Sequence, residues 1–515
     1  MNSPKLFSQE WTFLNEIWFR GYFFTSDSKL YEGDAAVEYI KMVSTDFKKL
    51  KELLKSLSGS FAGIIHNENE NILFTDRLRS IPLFYSSDGE NTSDNAYELI
   101  QYIEEKEIVK ISEKEFLNSG FVSSFRTIIK NILQVEASQV VQLGNGFIKT
   151  SYYYVHLPNR FSNKRFNDYY NELDKIFDII SLRVRKFVKN RTVIIPLSGG
   201  YDSRTIAVIA KKAGIKDVLC YTYGQSTDLE TVISKKVARK LGFKWILVKE
   251  SKDELHETFS GSDFIAYSKL SFNLVSRPSA QDYNAVKFIF NNKLAPTDSV
   301  IIPGHSMDLL GGSHITNLYM NYSNELNLEL LLKSIEKKYY NNIDCEENKS
   351  AIRSFLSRSI SSVKNVSLYS VFDSYNVFNR QAKYIVNSVR VYEFWGYNWM
   401  IPLWDNLLMD FWYSVDVKYR VNNKLLNSYL LNQLFYKYDI TFVKKELNLF
   451  NKLVNVGVRV LKTGSFKGRI LRRDIVTKIL AEKFEIPLSG NPFYDWWTVP
   501  MKAMIRDLNK NEINN

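Results

Sequence analysis

Ser198-Gly199-Gly200-Tyr201-Asp202-Ser203 is the stretch of this sequence whose residue types and spacing could do chemistry. Two adjacent glycines let a chain turn sharply with no side chains crowding the backbone. Between a strand and a helix, such a turn aims successive backbone N–H groups and the positive helix end at one point. A pyrophosphate fits that trap. Ser198 and Ser203 add hydroxyl donors for phosphate oxygens. Asp202 cannot favour phosphate by charge, and is suited instead to holding Mg²⁺, a hard cation that takes oxygen ligands. The loop lacks the lysine and the spacing of G-x-x-x-x-G-K-[ST], and it is not G-x-G-x-x-G. A plain connecting turn would use the same glycines, so the flanking elements must decide.

Those elements alternate. Val193 to Leu197 is a short apolar run, a strand. Ile206, Ile209, Ala210 and Ala213 recur at helical spacing, with Gly214 as a C-cap. Val218 to Tyr223 reads as a second strand. A helix from about Asp228 carries Leu229, Val232, Ile233, Val237 and Leu241 on one side and closes at Gly242, and Trp245 to Val248 is a third strand. This β-α-β-α-β order predicts a parallel sheet with right-handed crossovers, which places ligands at the carboxyl ends of its strands. Upstream the pattern is different. Phe61 to Ile65 and Ile72 to Thr75 flank the polar Asn67–Glu70, and Val140 to Leu143 and Phe147-Ile148 flank Gly144-Asn145-Gly146. Both read as β-hairpins. Leu157 to Lys164 is polar and aperiodic, a linker. Two domains are therefore expected, 1–157 and 165–515, and beyond about residue 320 the chain reads as helical and aromatic-rich.

At 515 residues the chain exceeds what one core usually supports. Hydrophobic residues at 45% and charged residues at 24% are ordinary for a globular protein. Lys+Arg 68 against Asp+Glu 56 leaves +12, spread along the chain, which favours a solvated basic surface over a nucleic-acid partner. With two cysteines, Cys220 and Cys345, there is no disulfide framework and no zinc-ligand spacing. The start has no basic-then-apolar signal, and the apolar stretch Phe394–Val415 is interrupted by Pro402, Asp405 and Asp410, so no membrane span is expected. The expected setting is reducing and cytoplasmic.

The loop resembles the SGGxDS loop of the ATP pyrophosphatases, which cleave ATP between its α and β phosphates. Other segments narrow the resemblance to the asparagine synthetase family. Tyr221-Thr222-Tyr223-Gly224 is similar to the segment that lines adenine and ribose there, with Asp228 and Glu230 following it. Gly304-His305-Ser306-Met307-Asp308-Leu309-Leu310-Gly311-Gly312 resembles the family's second loop, G-x-G-x-D-E-x-x-G-G, with a hydrophobic residue in place of the glutamate and the last glycines one residue early. The resemblance implies ATP and Mg²⁺ as cofactors. It implies an ATP- and pyrophosphate-binding set of Leu197, Ser198, Gly199, Gly200, Asp202, Ser203, Tyr223, Gly224, Gly304 and His305, with Asp202 and Asp308 toward the metal. His305 and His314 could equally be structural.

Ser58-Gly59-Ser60-Phe61-Ala62, Asp76-Arg77 and Ile81-Pro82-Leu83-Phe84-Tyr85 resemble the family's amino-terminal glutaminase domain. The implied fold is an α+β domain, an antiparallel sheet sandwich of the N-terminal-nucleophile type. After it comes an α/β parallel-sheet ATP-pyrophosphatase domain with a helical C-terminal extension. That glutaminase needs an N-terminal cysteine, and position 2 is Asn2, with no cysteine before Cys220. An asparagine cannot replace a thiolate nucleophile, so glutamine hydrolysis by this domain is not expected. β-Lactam synthetases and lasso-peptide cyclases, similar in this respect, use an amine already on the substrate.

Arg380 to Asp405 resembles the family's helix ending in E-x-R-x-P-F-L-D, with Asn398 and Met400 in place of the glutamate and arginine. A carboxamide cannot take an amine's proton. Glu393 is the nearest substitute, with Tyr392 or Tyr397 as its partner. Lys424 resembles a lysine of a late helix that steadies the α-phosphate, and Lys444 and Lys445 compete for that role. The expected activity is an ATP-dependent, AMP-forming carboxylate–amine ligase. Ammonia or an amine would be the nitrogen donor and a small-molecule, sugar-acid or peptide carboxylate the acceptor, in a chain whose relatives make a homodimer plausible. A degenerate nucleotide-binding homologue or scaffold is the alternative.

Overall fold

The computed structural model describes residues 2–43, 46–158, 164–316, 327–341, 345–359, 366–442, 464–489 and 492–513. Among these, the amino-terminal part is built on a seven-stranded antiparallel sheet: β1 (Thr12–Leu14), β2 (Ile17–Phe24), β3 (Leu30–Glu32), β4 (Ser58–His66), β5 (Glu70–Thr75), β9 (Gln139–Gly144) and β10 (Phe147–Tyr152). Both hairpins read from the sequence are present, as β4–β5 and β9–β10, and Gly146 supplies the positive φ of the second turn. Period-2 alternation sorts the faces. Ile17, Phe19 and Phe23 of β2 pack on α1 (Gly33–Lys41) and α2 (Phe47–Ser56) through Val37, Ile40, Leu50 and Leu54. Ala62, Ile64 and Leu73 on the opposite face meet Leu83, Tyr85 and Val135. The latter belong to or adjoin a small sheet of β6 (Phe84–Ser86), β7 (Thr92–Ser93) and β8 (Ile132–Gln134). α3 (Lys110–Ser119) lies between β7 and β8 in the chain and ends in a left-handed cap at Gly120.

After α4 (Phe166–Val188) the chain turns to the expected alternation: β11 (Val193–Pro196), α5 (Tyr201–Lys212), β12 (Val218–Gly224), α6 (Leu229–Leu241) and β13 (Lys244–Lys249). Next come α7 (Lys252–Ser260), α8 (Ser262–Phe272), α9 (Tyr283–Asn291), β14 (Val300–Ile301), α10 (Met307–Gly311) and, much later, β15 (Asn398–Trp399). The sheet order is β13-β12-β11-β14-β15, and every pairing is parallel. The fold is therefore an antiparallel sheet region followed by a parallel-sheet region with many helices. Of the linker segment, 159–163 lies outside the described residues.

The halves are in apolar contact. A single apolar cluster runs from Tyr22, Phe24 and Leu99 through Tyr169 and Ile195 to Tyr392 and Trp412. This cluster joins the two halves, beside the two clusters that belong to the amino-terminal sheet alone. No helix among the described residues is long and apolar enough to cross a membrane.

Candidate functional site

All five parallel strands end at one rim, and a cleft of about 490 Å³ opens there. Leu197 still donates to Tyr221 O at 2.8 Å, so the sheet holds the chain up to the turn. The turn then closes on itself. Ser198 N donates to Ser203 Oγ at 3.0 Å, Gly200 N to Ser198 Oγ at 3.1 Å, and the two hydroxyl oxygens lie 3.0 Å apart. The backbone donors and both hydroxyls thus gather at the start of α5, where the helix dipole favours an anion. Gly199 faces inward, and a Cβ there would sit 3.1 Å from Glu230 Cα, so it lets α6 approach the loop. Behind the turn, the buried Arg204 donates to Ile440 O at 2.8 Å and Phe442 O at 3.0 Å. Burial lowers its guanidinium to about 10.

The second loop leaves β14 as Pro303-Gly304-His305. A Cβ on Gly304 would lie 2.5 Å from Ser203 N and 2.8 Å from Asp202 C, so only glycine lets the two loops touch. Across that contact Asp308 N donates to Asp202 Oδ2 at 3.3 Å. Burial first, and the Asp308 charge second, push the Asp202 carboxyl well above the usual carboxylate range. No lysine or arginine stands among the described residues lining the cleft. Two neighbouring carboxylates with no lysine or arginine among the described residues lining the cleft beside them suit a hard divalent cation such as Mg²⁺. No group of three or more His, Cys, Asp or Glu side chains that could hold a metal ion occurs among the described residues, so phosphate oxygens and water would complete its shell.

The α10 loop is braced from behind. Arg420, fully buried, donates through Nε and Nη2 to Leu310 O at 3.2 and 2.9 Å and through Nη2 to Asp373 Oδ2 at 2.9 Å. His314 Nε2 lies 2.8 Å from Asp373 Oδ1, and His156 Nε2 pairs with Asp373 Oδ2 at 3.3 Å. Burial opposes its ionisation, yet Arg420 and then His314 hold the carboxyl well below its ordinary range. His314 thus stands beside Asp373 and does not line the cleft.

At the far end of the cleft stand Tyr221, Tyr223, Gly224, Glu250, Gln281 and Asp282. Gln281 Nε2 donates to Tyr223 Oη at 3.0 Å, and Tyr392 Oη donates to Asp282 Oδ2 at 2.8 Å.

The structure gathers most of the residues expected from the sequence: Leu197, Ser198, Gly200, Asp202, Ser203, Tyr223, Gly224, Gly304, His305 and Asp308 all line this cleft. His305 Nε2 lies 3.2 Å from Ser388 Oγ, and burial lowers its pKa to about 4, so it lines the cleft as a neutral ring.

The acceptor-side expectations need correction. Glu393 is outside the cleft, because it precedes β15 and so lies at the opposite rim of the sheet from the strands' carboxyl ends. It is ion-paired with Arg390 at 2.9 Å and Arg20 at 3.2 Å and receives Trp399 Nε1 at 2.8 Å. Burial would raise its pKa, but the two guanidiniums overcome this and hold it below the ordinary value. Fixed in this way, the carboxylate bridges the halves. Asn398 starts β15 at that same rim, paired with Val300. Tyr392 partners Asp282, not Glu393. Lys424 is exposed and does not line the cleft, although its neighbours Asn423, Leu426 and Asn427 do. Lys444 and Lys445 lie outside the described residues.

Sequence reasoning missed Asp282, Arg204 and Arg420. Arg204 directly follows the loop motif and could have been flagged as its support. Nothing local marks Asp282 or Arg420, whose partners are 110 and 47 residues away in the chain.

A family model described as asparagine synthase matches residues 181–438, the span that holds β11 to β15 and both loops. No curated protein matches the chain. Among solved structures, 36 chains match. One, the allosteric regulatory enzyme of purine biosynthesis, aligns at 11% identity over 69% of this chain and 78% of its own, with a TM-score of 0.20.

Proposed function

The chain belongs to the asparagine synthase family, and from that premise we propose that it is an ATP-dependent ligase that activates a carboxylate as its acyl-adenylate, releasing pyrophosphate, for capture by an amine or ammonia. The contact of Gly304 with the Ser203 backbone carries this reading, because it brings Asp308 onto Asp202 at the mouth of a backbone-lined anion trap. In use, the Gly200–Ser203 backbone and the Ser198 and Ser203 hydroxyls would hold the β- and γ-phosphates. Asp202 and Asp308 would hold Mg²⁺, which when bound neutralises charge on the departing pyrophosphate. Supported by Arg204, the loop stays preorganised between turnovers.

The amino-terminal sheet is assigned no glutaminase chemistry. Cys220 is buried, and burial raises its thiol pKa, which suits a core residue and not a nucleophile. The carboxylate is proposed to be a small molecule, sugar acid or peptide. Exchange of [³²P]pyrophosphate into ATP, screened over aspartate, uronic acids and short peptides, is expected with one of these, and Asp202→Ala is expected to abolish it. Exchange that survives Asp202→Ala would refute the mechanism.

A second reading, a nucleotide-binding homologue without turnover, gains support from Glu393 and Lys424 lying outside the cleft. ATP binding by calorimetry with no exchange for any carboxylate would favour it.

A further inference from the structure

His156 follows β10 in the chain, ahead of α4, and is fully buried. Its Nε2 meets Asp373 Oδ2 at 3.3 Å, and its Nδ1 meets Tyr154 Oη at 3.2 Å. An ionised carboxylate can only accept, so Nε2 carries the proton, and in the neutral ring Nδ1 accepts from the tyrosine. Tyr154 is held in turn. The Arg77 guanidinium lies 3.9 Å from its ring centroid and pairs with Asp410 at 2.6 Å.

On the other side of Asp373 stands the loop that carries Asp308. Asp373 Oδ2 also accepts Arg420 Nη2 at 2.9 Å, and the same guanidinium donates to Leu310 O. Backbone contacts tighten this grip. A Cβ on Gly312 would lie 2.3 Å from Arg420 O, and Asn422 N donates to Ile315 O at 3.3 Å. α10 is only 5 residues long, little more than one helical turn, so Leu310 cannot shift without carrying Asp308 with it. His156, Asp373 and Arg420, all buried, thus form a continuous line from the amino-terminal half to the carboxylate loop beside Asp202. Close-packed groups of this kind pass a displacement on because the core around them does not deform gradually.

We propose that His156 is a positioning residue for the metal-binding loop: through Asp373 and Arg420 it fixes α10 so that Asp308 meets Mg²⁺ beside Asp202. The assignment rests on the Mg²⁺–ATP reading above and gives the amino-terminal half a part in the synthetase site that needs no nucleophile. Groups behind metal ligands tune affinity by aiming those ligands, and their loss typically costs about 10- to 100-fold. His156 acts through two intermediaries, so its effect is smaller.

The test is calorimetric titration of the full chain with Mg²⁺–ATP. Asp308→Ala is expected to weaken binding about tenfold. His156→Leu, which keeps an apolar side chain but loses the N–H, is expected to weaken it about fivefold. His156→Gln, whose carboxamide restores a donor, is expected to bind within about twofold of the wild type. In the Asp308→Ala background His156→Leu is expected to add nothing, because the metal contact it serves is already gone; general damage to the cleft would add in full. Tyr154→Phe, which removes only the hydroxyl on Nδ1, is expected to cost about threefold, again with no effect in that background. It provides the reading should His156→Leu fail to fold. Three results overturn the assignment alone: wild-type affinity in both His156→Leu and Tyr154→Phe, no recovery in His156→Gln, or full additivity with Asp308→Ala. Undiminished binding by Asp308→Ala, or no nucleotide binding by the wild type, would overturn the Mg²⁺–ATP reading together with it.

Discussion

At the scale of single residues, the site depends on one position that tolerates no side chain. Gly304 does not need positive φ; it needs room, because Ser203 N and Asp202 C stand 2.5 and 2.8 Å from where its Cβ would be. Alanine there must drive the two loops apart and Asp308 away from Asp202. Gly304→Ala is expected to slow pyrophosphate exchange by about 10²-fold, the scale of a misplacement near 1 Å at reacting groups. Its melting temperature should fall little, since both loops lie at the rim of the cleft. A full-rate exchange in this variant would mean that the loops work independently. Gly199 and Gly200 next to it were legible as a turn from their types alone, whereas the reason for Gly304 is a backbone 101 residues earlier.

Elements explain why the acceptor side misled sequence reading. From Leu368 to Phe394 the helical course changes from α to π-type at Asn376–Ile385 and to 3-10 at Val386–Val389. Each change shifts the face that a given spacing selects, so a 3.6-residue period cannot place Tyr392 or Glu393. The irregular turns also bury Lys383, whose Nζ donates to Ser124 O across the boundary between the halves. Burial lowers its pKa to about 7, with Glu136 and Glu115 opposing that effect and Arg79 and Arg126 adding to it. Unfolded, the amine returns to its ordinary value of 10.5. Between those values the unfolded chain binds the extra proton, so stability contributed by this group rises with pH over that window. Lys383→Met is expected to flatten that rise. Urea midpoints at pH 6.5 and 9 would show it as a smaller difference than in the wild type. A pH dependence unchanged in the variant would assign the effect elsewhere.

At the scale of the whole molecule, arginines tie the two halves together through ion pairs and hydrogen bonds. Arg183 of α4 places Nη1 2.7 Å from both oxygens of Asp405 and reaches Ser28 Oγ at 3.1 Å. Arg77 meets Asp410 at 2.6 Å, and Arg390 donates to Ser80 O at 2.7 Å. Together with the continuous apolar cluster, these contacts predict one cooperative thermal transition. Arg183→Ala should lower its midpoint without splitting it, because removing one partner leaves the Asp405 carboxylate buried and uncompensated, a cost of roughly 3–5 kcal/mol. Two separated transitions in scanning calorimetry, in the wild type or the variant, would show that the halves unfold independently.

Read alone, the sequence determined the parts whose causes are local. The Gly-Gly turn between an apolar run and a helical period announced the anion trap. Alternating strands and helices announced the parallel sheet, and polar breaks between β-type runs announced both hairpins. Tertiary structure decided what depends on distant partners: the contact of Gly304 with Ser203, the bracing of α10 by Arg420, and the pairing of Tyr392 with Asp282 and of Glu393 with Arg20. The physical reason is range. Turn geometry and periodicity act over a few residues and leave a mark in spacing. A hydrogen bond or ion pair between elements is set by which faces the packed core turns toward each other, and its partners carry no mark of it in the chain.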